Sequence, residues 1–73
     1  MNAPMSDEEF LLYCKTHAAT PRCGFVPAHL ARLYRLAGYE GEARYWKQES
    51  NQVVNCKEHV ILGLVEFAED RLP

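Results

Sequence analysis

The sequence predicts an all-α fold: a small four-helix, bundle-like array with a central helical hairpin and a long apolar C-terminal helix. Three observations lead there. No run of β-branched residues alternates with polar ones, so no sheet is expected. Helix start and stop signals bracket four segments: Ser6 with Glu9, Pro27 with Gly38, Glu40 after the turn, and Pro73 at the end. In the last third, Val60, Ile61, Leu64, Val65, Phe67, Ala68 and Leu72 recur at helical spacing.

Residues 1–5 read as a frayed start. Ser6 and Glu9 then make a capping box, with Met5 as its hydrophobic staple and Asp7 and Glu8 placed at the positive end of the helix dipole. The first helix runs from Asp7 to about Ala18. It buries Phe10, Cys14, His17 and Ala18, with Leu11 at the edge. Pro21 and Gly24 mark a loop. The second helix starts near Pro27, a favoured first-turn residue, and ends at Gly38, a favoured left-handed residue after a C-cap. Its core side is Leu30, Leu33, Leu36 and Ala37; Ala28, Arg32 and Arg35 are its wet side. The third runs from about Glu40 to Glu49, with Tyr39, Ala43 and Trp46 as an apolar stripe and Tyr45 exposed. Ser50, Asn51 and Gln52 break the chain.

Helix four starts either at Asn55, which with Glu58 resembles a second capping box, or nearer Asn51. Its apolar residues cover an arc of roughly 160°, wider than one neighbour needs. Leu62 falls outside the arc, among Glu66, Glu69 and Asp70. A homodimer through this helix is therefore expected.

The segment Leu30-Ala31-x2-Tyr34-x3-Gly38-x4-Ala43-x2-Trp46 resembles the helix–turn–helix unit of tetratricopeptide repeats. Pro27 stands where that unit has tryptophan, the second aromatic comes one position early, no proline follows, and the chain holds one copy. The resemblance implies close packing of the second and third helices and a peptide-binding role. It supplies no catalytic residue.

Seventy-three residues make one domain near the lower limit for folding without a metal, disulfide or partner. No apolar run approaches the roughly 18 residues of a membrane span. The acidic first nine residues do not read as a signal peptide. A cytoplasmic setting is expected, and three cysteines, an odd number, fit reduced thiols better than a disulfide framework. Charge is unevenly spread. Both ends are acidic, while the centre holds Lys15, Arg22, Arg32, Arg35, Arg44 and Lys47 against Glu40 and Glu42.

Four constellations carry candidate chemistry. Cys14-x2-His17 and Cys56-x2-His59 repeat one spacing, and two such pairs on facing antiparallel helices would offer zinc a thiolate–imidazole site. Cys23 and His29 are substitutes within that scheme. Cys23 with His17 or His29 lacks any motif fixing a nucleophile's geometry, so no catalytic residue and no enzyme activity are assigned. Arg32, Arg35, Arg44 and Lys47, with Tyr45 nearby, form a basic strip on adjacent helices. Such a strip suits phosphates or an acidic protein surface, but a pI of about 5.8 is far from the basic domains that bind nucleic acid. Exposed aromatics beside arginines are the residues that anchor protein interfaces.

The expected function is therefore a non-catalytic protein-binding module, an adaptor or inhibitor, with Arg32, Arg35, Arg44, Tyr45, Lys47 and Leu62 as contact residues. Phage- or mobile-element-encoded inhibitors share this size class. The alternatives are a zinc-stabilised helical domain and a weak nucleic-acid binder. No cofactor other than zinc is suggested.

Overall fold

Six short elements, four of them helices bracketed by local signals, make up the computed structural model, which describes residues 5–20, 23–49 and 52–73. They are α1 (Asp7–Ala18), β1 (Gly24–Phe25), α2 (Pro27–Leu36), α3 (Glu40–Lys47), β2 (Val54–Asn55) and α4 (Glu58–Arg71). The all-α bundle-like class holds, with one addition that the sequence did not signal: β1 and β2 pair as a minimal antiparallel ladder, Gly24 opposite Asn55 and Phe25 opposite Val54. The predicted loop residue Pro21, the break at Ser50 and Asn51, and the alternative start of helix four near Asn51 lie outside the described residues, as do residues 1–4 of the frayed start.

The capping box at α1 forms as its spacing requires. The Glu9 amide donates to Ser6 Oγ at 3.2 Å, and the Ser6 amide donates back to Glu9 Oε1 at 3.5 Å. Met5 stays exposed. The α2–α3 turn is a Schellman motif: the Gly38 amide donates to the Arg35 carbonyl and the Tyr39 amide to the Tyr34 carbonyl. Gly38 takes φ 95°, and a Cβ there would lie 2.9 Å from Cζ of Arg71, which covers the turn. Glycine is therefore demanded twice at this position, by backbone and by space.

α1 packs on α4, and α2 packs on both α3 and α4. The core joins Phe10, Leu11, Cys14 and Ala18 of α1 to Leu30, Leu33 and the C-cap Ala37 of α2, to Ile61, Leu64, Val65 and Ala68 of α4, and to Cys23 and Phe25 beside the ladder. α3 adds only buried Ala43 and half-buried Trp46.

Helix four departs from its predicted start and rotation. Asn55 is taken into the ladder opposite Gly24, so it caps nothing, and α4 begins at Glu58 without a side-chain cap. The core face is narrower than the predicted arc: Val60 and Phe67 are 42% and 54% exposed. Leu62, expected among solvated charges, is half-buried against the core. The argument for a dimer through Leu62 loses its premise. The apolar side chains that α4 leaves in solvent are Val60 and Phe67, and Phe67 stands edge-on to Tyr39 at 6.4 Å between ring centroids. Among the described residues no helix is long and apolar enough to cross a membrane.

Candidate interaction groove

The sequences of α2 and α3 each place one small-and-charged stripe on the side away from the core. Ala28, Ala31, Arg32 and Arg35 stand at i, i+3, i+4 and i+7 of α2. Glu40, Ala43, Arg44 and Lys47 do the same on α3. The Schellman turn folds the two helices together, and the stripes become the walls of one groove of about 490 Å³. Alanines make its floor, Trp46 closes one side, and Glu40 and Glu49 are its acidic members. Short alanine side chains let the helices approach closely and leave a trough between the longer cationic ones.

The four predicted basic residues all line this groove, but they are not equivalent. Arg32 is engaged within the fold. Its Nη2 donates to the Met5 carbonyl at 2.6 Å and to Asp7 Oδ1 at 3.0 Å, and its guanidinium lies 4.6 Å from the centre of the Phe10 ring. Arg32 thus ties the start of α1 to α2, which corrects its place on the wet side. Arg35, Arg44 and Lys47 are exposed and make no ion pair among the described residues.

Among the described residues no acceptor reaches the buried Trp46 Nε1. Tyr45 stands outside the lining. It is 55% exposed, edge-on to Trp46 at 5.0 Å, and its hydroxyl bonds to Glu49, which raises the phenol above its ordinary value. Leu62 belongs to a different part of the molecule. Sequence reasoning missed the alanine floor and Trp46 as a groove residue. The signal was present in the duplicated i, i+3, i+4, i+7 stripe, but Ala28 read as a wet-side residue and Ala43 and Trp46 as the apolar stripe of the third helix.

The doubled Cys-x2-His spacing is not assembled into a site. Cys14 is fully buried, and its thiol is pushed up to about 12 by that burial, against the lowering influence of Arg32. His17 Nε2–H donates to the Gly24 carbonyl at 2.6 Å while its ring stacks on Tyr13. Cys56 Sγ donates to the Val54 carbonyl at 3.5 Å, and His59 is exposed on the first turn of α4. The levels also disagree. Lys15, next to Cys14, reaches Glu69 near the C-terminal end of α4, the end opposite Cys56 and His59. The predicted substitutes do not help, because His29 is edge-on to Phe10 and Tyr13. Among the described residues no three His, Cys, Asp or Glu side chains are grouped to hold a metal ion.

No family profile, curated protein or solved structure matches this chain. The reading of the groove therefore rests on its own chemistry.

Proposed function

We propose that this chain is a non-catalytic protein-binding module, an adaptor or inhibitor, whose α2–α3 groove receives an acidic amphipathic helical segment of a partner protein. One observation carries the reading: two helices line up an apolar trough of Ala28, Ala31, Ala43 and Trp46 beside Arg35, Arg44 and Lys47, which make no ion pair among the described residues. A helix with leucine-type side chains on one face fits the trough, and Asp or Glu on its flanks meets Arg35, Arg44 and Lys47. A duplex offers phosphates to the same cations, yet it has no apolar face for the trough, and Glu40 and Glu49 repel it.

Trp46 is the sole tryptophan, so its fluorescence reports occupancy of the groove directly. Titration with a designed acidic amphipathic helical peptide is expected to change Trp46 emission saturably. The double variant Arg35→Glu, Arg44→Glu is expected to lose at least about tenfold in affinity while folding normally, since both side chains are surface residues. A peptide of the same charge with scrambled amphipathicity binding equally well, or a short DNA duplex binding better than the peptide at physiological salt, would remove this reading.

A further inference from the structure

Continuing the ladder by one step beyond Gly24 and Asn55 brings Cys23 directly opposite Cys56. The Cys56 amide donates to the Cys23 carbonyl at 2.9 Å, one of the two bonds of a hydrogen-bonded position in the continued antiparallel register. Residues directly opposed in such a ladder send their side chains to the same face. We infer that Cys23 and Cys56 form a reversible cross-strand disulfide, closed by a small-molecule disulfide of the glutathione class and reopened by the corresponding thiol. This inference is independent of the groove.

The geometry both permits the bond and sets its character. Opposed Cα atoms at a hydrogen-bonded position stand roughly 5.5 Å apart, inside the roughly 4.4–6.8 Å window of disulfides. Their Cβ atoms stand up to roughly 5.5 Å apart, whereas a relaxed bridge wants about 3.8 Å. Closure therefore draws the two strands together against the ladder. A bond made under that strain lies at the easily reduced end of the scale, where labile and regulatory disulfides are found. It would add a covalent link between the α1–α2 and α3–α4 connections, beside the ladder and the Cys56–Cys23 backbone bond.

Cys56 is the partly exposed member and receives the oxidant. Its thiolate attacks one sulfur of the small disulfide, forms a mixed disulfide and expels one thiol. Cys23 then attacks the Cys56 sulfur and expels the second. Two S–H bonds of the protein and one S–S bond of the oxidant are replaced by one S–S bond of the protein and two small thiols. Electrons and protons balance. Burial raises both cysteine thiols, so the exchange quickens above neutral pH, as thiolate attack requires. Cys14 is the competing partner, near enough to Cys23 for the two charges to disfavour each other. It is fully buried on α1 and has no place in the ladder.

The test uses the full chain equilibrated in buffers of reduced and oxidised glutathione, quenched by alkylation, and followed by intact mass and non-reducing peptide mapping. The expected product has lost two hydrogens, links Cys23 to Cys56, leaves Cys14 to be alkylated only after denaturation, and returns fully to the dithiol in reduced glutathione. Cys23→Ser is expected to stop at a stable glutathione adduct on Cys56. A Cys14–Cys23 link, three free thiols at the oxidising end, or a wild-type Cys56 adduct that never closes would each overturn the proposal.

Discussion

α1 and α3 are both short helices with charged outer faces, yet they are held in opposite ways. α1 buries Phe10, Leu11, Cys14 and Ala18, is capped by Ser6, and is tied to its neighbours by Lys15–Glu69 and Asp7–Arg32. α3 buries only Ala43, leans on α2 through half-buried Trp46, has no side-chain cap, and its Arg44 and Lys47 make no ion pair among the described residues. Asp7 and Lys15 of α1 are occupied in holding the fold, while Arg44 and Lys47 of α3 make no ion pair among the described residues. The difference separates a helix that builds the core from one that leaves its charged side chains at the surface, where the proposed partner would meet them.

The largest effect belongs to the α1–α4 side. Ile61 is 1% exposed, and Ile61→Ala is expected to cost about 2–5 kcal/mol by denaturant unfolding, enough to leave so small a domain marginal. An effect below about 1 kcal/mol would show that α4 is not the core helix.

Alkaline pH attacks the same side through Cys14. Its thiol titrates at 9.0 when unfolded and about 12 when folded, so the folded state holds the proton more tightly. The associated stability is complete below pH 9 and is lost as pH rises toward 12, by up to about 1.4 kcal/mol per pH unit for one thiol. Unfolding measured between those limits should show a steeper decline for the native chain than for Cys14→Ala.

On the other side, Arg35→Glu with Arg44→Glu should leave the unfolding midpoint within the effect of about 0.5 kcal/mol usual for surface changes, while peptide affinity falls at least about tenfold. If stability fell instead, the cations would be structural and the contrast between α1 and α3 would fail.

Leu62 and Phe67 sharpen the picture of α4 itself. Leu62→Ala should cost about 1–2 kcal/mol, as a half-buried core neighbour, and Phe67→Ala less than about 1 kcal/mol. The reverse order, or light scattering that shows a dimer dissociated by the Phe67 change, would place a second chain on that face. Ser6→Ala should cost about 1 kcal/mol, the usual worth of a side-chain cap, read from the thermal midpoint.

What was legible in the sequence was local. Ser6 with Glu9, Pro27 and Gly38 mark helix ends because the groups they satisfy lie within four residues of them, so the signal and its partner sit in one window. The core faces of α1 and α2 followed from their periodicity, and so did the common face of Arg32, Arg35, Arg44 and Lys47.

The rotation of α4 was not legible. A wide apolar arc is compatible with several rotations, and packing against α1 and α2 chose the one that buries Leu62 and leaves Phe67 out. Asn55 was equally suited to cap a helix or to lie opposite Gly24, and only the approach of the distant α1–α2 connection decided between them. Arg32 looked identical to Arg35 until the start of α1 came within reach of one and not the other. The doubled Cys-x2-His spacing states which side of a helix each pair occupies, but the level at which two helices meet is set by core packing. That packing kept Cys14 apart from Cys56 and brought Cys23 opposite it instead, because contacts between distant segments are fixed by the fit of whole surfaces and not by any short pattern of residues.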